Sequence, residues 1–223
     1  VLSQELWAAV DSYIDGLLVP SDPGLDAALE HSAAAGLPEI AVTPSQGKLL
    51  YLLARMQGAR RILEIGTLGG YSTIWLARAV PADGLLETLE ADRKHFRIAQ
   101  ENIARAGLAK VVHLRVGRAL DTLPQIAAEG AGPFDFVFID ADKENTAEYF
   151  DWALRLSRPG AAIVVDNVIR DGEVANAATT DEGVQGIRRF NEAVAREKRV
   201  SATTIQTVGS KGYDGFTLAL VLD

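Results

Sequence analysis

At 223 residues with no cysteine, the chain is sized for one α/β domain and cannot use disulfides, thiolate nucleophiles or cysteine-ligated metal centres. Hydrophobic residues at 48% and charged residues at 23% exclude a disordered chain and a bundle of membrane spans. Thirty acids against 22 bases leave a formal charge of −8, which repels phosphate backbones and anionic headgroups, so neither nucleic acid nor a membrane is an expected partner. The three histidines are scattered, and any metal must be held mainly by oxygen. The opening run carries Glu5 and no basic stretch before its apolar residues, so it reads as an amphipathic helix of a cytoplasmic protein and not as a secretory signal.

Apolar residues at helical spacing (Leu6, Val10, Ile14, Leu17) predict a first helix, and a second runs through Leu25 and Leu29 after a proline-bounded turn at 20–23. A third starts at Thr43, whose hydroxyl can cap it with Pro44 at the first helical position, and ends at Gly58. Residues 1–57 are thus expected to form a helical cap on a core of residues 58–223. Short apolar runs at 62–65, 85–90, 111–116, 134–139 and 161–165 then alternate with helices, two of which read clearly over 92–106 and 145–156. This alternation implies a parallel sheet covered on both faces. After a helix near 184–198, runs at 202–208 and 216–222 flank a glycine-rich turn too short for a crossover, so these two strands must be antiparallel. The expected fold is a doubly wound, Rossmann-like, seven-stranded and mostly parallel sheet that closes on an antiparallel hairpin.

Three segments carry chemistry. In Leu63-Glu64-Ile65-Gly66-Thr67-Leu68-Gly69-Gly70-Tyr71-Ser72 a strand enters a glycine-rich loop and then a helix, so that a ligand can approach backbone free of Cβ atoms. The G-x-x-G-G spacing is not the dinucleotide fingerprint, and Glu64 would repel a pyrophosphate, which points to a ligand carrying positive charge. Glu90 closes the next strand, where an acid in a doubly wound fold accepts both ribose hydroxyls. A nucleoside without pyrophosphate but with a cationic centre and an amino-acid tail describes S-adenosylmethionine. The third segment is Phe136-Val137-Phe138-Ile139-Asp140-Ala141-Asp142-Lys143, with Asp166-Asn167 one strand-helix-strand unit later. Asp140 and Asp166 should then lie side by side at the carboxyl edge of adjacent strands and, with the Asn167 carbonyl, form a hard-oxygen site suited to Mg²⁺, with Mn²⁺ or Ca²⁺ as alternatives. Each element has a plainer reading alone: the loop as structural punctuation, Glu90 as an acid near a helix start, an aspartate as a helix cap. Their combination favours the site.

Together these motifs resemble the cation-dependent class I O-methyltransferases of the caffeoyl-CoA and catechol O-methyltransferase type, especially the small bacterial members. The resemblance runs from Val42-Thr43-Pro44 and Gln46-Gly47 through LEIGTLGGYST, FVFIDADK and VVDN to GSKGYDGF. It implies that Val42, Glu64, Gly66, Thr67 and Ser72, with Gly70 in the same loop, bind the methionine part of S-adenosylmethionine. It further implies that Glu90 holds the ribose, Ala119 lies beside the adenine and Asp142 sits near the cofactor amino group. Asp140, Asp166 and Asn167 bind the metal, with Asp140 also beside the cofactor, and Lys143 matches the general base. The implied reaction is methyl transfer to one hydroxyl of a small phenolic acceptor with vicinal hydroxyls, under N-terminal helices that help form a homodimer. In plant members an asparagine stands at the position of Asp171 and a tryptophan at that of Arg170, so plant specificity is not carried over. Competing readings are another chelating hydroxyl acceptor, a non-catalytic S-adenosylmethionine sensor and a nicotinamide dehydrogenase. The retained metal ligands and Lys143 argue against the sensor, and the loop spacing argues against the dehydrogenase. Trp7, Trp75 and Trp152 read as packing residues, and nothing pairs His95 or His113 with a nucleophile.

Overall fold

A computed structural model describes residues 3–223. Three helices lead: α1 (Gln4–Leu18), α2 (Pro23–Ala34) and α3 (Pro44–Met56). Each starts where a side-chain oxygen accepts from an otherwise unpaired amide: Ser3 from Leu6, Asp22 from Gly24 and Leu25, and Thr43 from Gln46. Proline at the first position of α2 and α3 fixes φ without losing a helical hydrogen bond. Among the described residues no helix is long and apolar enough to cross a membrane.

The alternating part comprises β1 (Arg61–Ile65), α4 (Tyr71–Ala77), β2 (Leu85–Glu90), α5 (Arg93–Arg105), β3 (Val112–Val116), α6 (Ala119–Ala128), β4 (Phe134–Ile139), α7 (Thr146–Leu156) and β5 (Ser157–Asp166). Then come α8 (Glu182–Arg196), β6 (Val200–Gly209) and β7 (Gly212–Val221). The seven strands lie in the order β3-β2-β1-β4-β5-β7-β6, with β7 antiparallel to both neighbours and every other pair parallel. The expected architecture is therefore present. The fifth strand starts at Ser157, earlier than position 161, so Pro159-Gly160 lies inside β5, opposite a register shift between Phe134 and Phe136. The hairpin strands extend beyond the expected runs and meet at a tight turn between Gly209 and Gly212.

Alternation along the central strands divides the core. Leu63, Ile65, Val137, Ile139, Ile163 and Val165 pack toward α6, α7 and α8, whereas Ile62, Phe136, Phe138 and Val164 pack toward α3 and α4. Burial on both faces explains why these strands read as unbroken apolar runs. Trp75 is buried and lies beside Tyr51, while Trp152 is half-buried under Arg155, so both act in packing.

The chain winds outward from β1 to β3 and then returns to β4, so the sheet's switch point lies between β1 and β4, where doubly wound folds open a crevice. The turn at 143–145 on that edge is pressed by α8: a Cβ on Gly186 would lie 2.1 Å from the Lys143 carbonyl oxygen. Alanine would gain about 1 kcal/mol in helix propensity, but overpacking against backbone costs about 1–3 kcal/mol. Gly186→Ala is therefore expected to lower the urea midpoint; an equal or higher midpoint would contradict this packing.

Candidate active site

A cleft of about 1230 Å³ opens along the carboxyl edge of the sheet. Strand order sets its two ends. Glu90 ends β2 and Ala119 lies beyond β3, Gly66 and Thr67 follow β1, and Asp140 and Asp166-Asn167 lie at the ends of β4 and β5. Val42, Gln46 and Asp11 from the leading helices and their connections close over it, with Lys211 from the β6–β7 turn. Val42, Gly66, Thr67, Ser72, Glu90, Ala119, Asp140, Asp142, Lys143, Asp166 and Asn167 all line this cleft.

The loop after β1 is glycine-dependent at one point. Gly66 has φ 101°, and a Cβ there would lie 2.0 Å from the Asp140 carbonyl oxygen, while the Asp140 amide donates to Ile65 O at 2.9 Å. The β1 and β4 ends are thus drawn together by the absence of a side chain.

Glu64 and Gly70, both expected to bind the methionine part of the cofactor, are not among the residues that line the cleft. Glu64 is fully buried, because the two-residue period of β1 turns it toward α4, away from the cleft. Its carboxylate accepts from the hydroxyls of Ser72 and Thr88, both at 2.6 Å, and of Thr73 at 2.5 Å. Burial outweighs these three donors and pushes its pKa up from 4.5 to about 7. Glu64 therefore reaches the cleft only through Ser72. Gly70, with φ 84°, starts α4 in the left-handed region and packs against Ala99 and Ile103 of α5.

At the β2 end, one Glu90 carboxylate oxygen accepts from Leu68 N at 2.7 Å and the other from Asp92 N at 2.8 Å. Two backbone amides thus orient this carboxylate on the cleft wall. Asp142 is held by Tyr149 Oη and Asn145 Nδ2, and burial together with the Asp142 charge raises the Tyr149 pKa.

At the β4–β5 end, the register Ile139↔Val165 carries forward to set Asp140 beside Asp166. Asp140 Oδ1 accepts from Lys143 Nζ at 2.8 Å. Asp166, only 5% exposed, accepts from Gln46 Nε2 at 2.5 Å and from Asn167 N at 2.8 Å. Burial, and then the neighbouring Asp140 charge, push the Asp166 carboxyl well above the usual range. Asn167 has φ 58°, a region that asparagine tolerates better than most residues. Among the described residues no group of three or more His, Cys, Asp or Glu side chains could hold a metal ion. The candidate set is two carboxylates plus one amide carbonyl, all oxygen, with a clustered negative charge that the Lys143 ion pair partly offsets. Those donors fit a hard divalent cation that takes few protein ligands.

Gln46 and Lys211 were not singled out by sequence reasoning. Gln46 lies in the matched Gln46-Gly47 pair, and Lys211 in GSKGYDGF, where the glycines suggest only a turn.

The family model for O-methyltransferases matches residues 22–222. A catechol O-methyltransferase of Niastella koreensis is 55% identical over 220 residues, covering 99% of this chain and 100% of that protein. Among solved structures, the O-methyltransferase from Bacillus cereus in complex with SAH superposes with a TM-score of 0.97 at 58% identity, covering 98% of this chain and 100% of that one. The O-methyltransferase TomG from Streptomyces achromogenes, involved in tomaymycin synthesis and solved with SAM, superposes with a TM-score of 0.96 at 55% identity over 100% of both chains. The chain belongs to the O-methyltransferase family and is an enzyme of the S-adenosylmethionine-dependent O-methyltransferase class.

The buried Glu64 has a measurable signature. Between its ordinary pKa of 4.5 and its folded value of about 7 the folded chain keeps a proton that the unfolded chain has lost, so its contribution to stability falls as pH rises through this window. Glu64→Gln is expected to flatten the pH dependence of unfolding free energy across that window; parallel curves for the two proteins would contradict the raised pKa.

Proposed function

We propose that the enzyme transfers a methyl group from S-adenosylmethionine to one hydroxyl of a small catechol-like acceptor in a Mg²⁺-dependent reaction. The observation that carries this reading is the Asp140–Asp166 pair beside Lys143 at one end of a cleft whose other end holds Glu90. The catechol O-methyltransferase name of the Niastella koreensis relative, and the SAM and SAH of the two similar structures, support it.

In this reading the cofactor lies along the β1–β3 side. Glu90 accepts from the ribose hydroxyls, Ala119 lies beside the adenine, and Gly66 and Thr67 let the methionine part approach the backbone. Val42 and Ser72 contact that same part from either side, Asp142 and Asp140 lie near the amino group, and Glu64 and Gly70 hold the loop in shape. Asp140, Asp166 and the Asn167 carbonyl would hold the cation. When bound, that ion supplies positive charge that lowers the acceptor phenol's pKa from its ordinary value of about 10.

Lys143 is the general base: once its ammonium has released a proton to solvent, the neutral Nζ takes the proton of the reacting hydroxyl, at a site where Asp140 orients it. The phenolate oxygen then forms a bond to the sulfonium methyl as the methyl–sulfur bond breaks, and S-adenosylhomocysteine leaves. Gln46 fixes Asp166, and Val42 and Gln46 limit water above the reacting atoms. The proposed homodimer has support in the exposed stripe Leu6, Val10, Tyr13 and Leu17 on α1, and a cytoplasmic location completes the proposal.

The test is S-adenosylhomocysteine release from purified enzyme with S-adenosylmethionine and catechol. EDTA should abolish turnover and Mg²⁺ restore it, and Lys143→Met should lower kcat by about 10²–10⁴-fold with little change in cofactor affinity. Turnover that resists EDTA would remove the metal from the reaction, and a near-normal kcat in Lys143→Met would remove the base.

A further inference from the structure

A cation in a partly buried wall ordinarily faces a carboxylate, because desolvating it without one is costly. Two cations at the acceptor end of the cleft have no carboxylate within ion-pair distance among the described residues. Arg170 lines the cleft, its Nε is buried without a hydrogen-bond partner, and among the described residues no carboxylate lies within 4.0 Å of its guanidinium. Lys211 also lines the cleft and forms no ion pair among the described residues; its ammonium donates only to the Ala41 carbonyl oxygen.

Hydrogen bonds hold the backbone that carries both side chains. The segment after β5 places Asn167, Arg170 and Asp171 at φ 58°, 54° and 56°, a left-handed backbone that costs about 1 kcal/mol or more per non-glycine residue. Asp214 secures it, accepting from Ile169 N at 2.9 Å and Arg170 N at 3.1 Å, while Val168 N donates to Gly215 O at 3.0 Å. The Lys211 turn is fastened to α1: Gln4 Nε2 donates to Ser210 O at 2.8 Å, and Ser210 N donates to Asp11 at 2.7 Å.

Several acids on this side have partners of their own, whereas the Glu39 and Asp171 carboxylates have no side-chain partner among the described residues. Asp214 and Asp11 accept from backbone amides, Asp140 accepts from Lys143, and Asp166 accepts from Gln46 and Asn167 N. Burial holds the Lys211 pKa below its ordinary value, with the charges of Asp140 and Asp166 acting in the opposite direction, which places Lys211 in the field of that pair.

We propose that Arg170 and Lys211 form an anion-recognition subsite at the acceptor end of the cleft, and that the preferred acceptor carries a carboxylate in addition to its vicinal hydroxyls. This rests on the methyl-transfer reading above and narrows its acceptor class to catechol-bearing aromatic acids. The carboxylate accepts hydrogen bonds from the guanidinium and the ammonium, and Lys211 gives up or shares its bond to Ala41 O.

The test compares protocatechuate with its methyl ester, which keeps both hydroxyls and loses the charge, in S-adenosylhomocysteine release with Mg²⁺ present. The wild-type enzyme is expected to favour the acid in kcat/KM by about tenfold or more, mainly through KM, as charge-assisted hydrogen bonds require. That ratio should fall toward unity in Lys211→Met and Arg170→Gln and return in Lys211→Arg. The wild-type comparison needs no variant and stands even if one fails to fold. Equal use of acid and ester, or an acid preference that survives in the Lys211→Met, Arg170→Gln double variant, would overturn the subsite while leaving methyl transfer intact. Turnover of neither compound, with S-adenosylmethionine bound, would overturn the acceptor reading and the subsite with it.

Discussion

Parallel pairing of β4 with β5 forces two carboxylates together: once Ile139 lies opposite Val165, Asp140 and Asp166 must emerge side by side. Like charges at that spacing, one of them almost fully buried, raise the free energy of the ionised pair. Much of the surrounding structure answers that problem. Lys143 donates to Asp140, Gln46 reaches down from α3 to Asp166, and Asn167 accepts a left-handed backbone so that its amide can do the same. Gly186 lets α8 press on the turn that carries Lys143, and Gly66 leaves room for the Asp140 carbonyl. A divalent cation would complete the neutralisation that one lysine begins.

The opposite half of the cleft is built differently. There the carboxylates are held by neutral donors: Glu90 by two backbone amides, and Glu64 by three hydroxyls in a buried layer under Ser72. Neutral donors orient a carboxylate without cancelling its charge, which leaves Glu90 free to accept from hydroxyls in the cleft. Burial pushes the Glu64 carboxyl up from its ordinary range, and its three hydroxyl donors tie it to Ser72 on the cleft wall. One sheet edge therefore presents uncancelled acceptors at one end and a metal-ready pair flanked by cations at the other.

Much of this was legible in the sequence because it follows from period and order. The doubly wound sheet, the start of α3 at Thr43-Pro44 and the adjacency of Asp140 and Asp166 all follow from alternating apolar runs and one strand-helix-strand spacing. What failed had a local cause. Pro159-Gly160 precedes the apolar run at 161–165, and only the register shift against β4 shows that β5 passes through it. Gln46 and Lys211 become neighbours of the site through tertiary packing alone, with Gln46 and Asp166 separated by 120 positions. A side chain's partner at such a distance leaves no periodic trace, and a lysine between glycines reads as a turn.

The central claim is that the ends of β4 and β5 hold a divalent cation, and Mn²⁺ binding followed by electron paramagnetic resonance tests it without reference to turnover. The account predicts one saturable Mn²⁺ site per chain, displaced by Mg²⁺ and lost in the Asp140→Asn, Asp166→Asn double variant. Absence of saturable binding in the wild-type protein, or binding that survives in that folded variant, would contradict it.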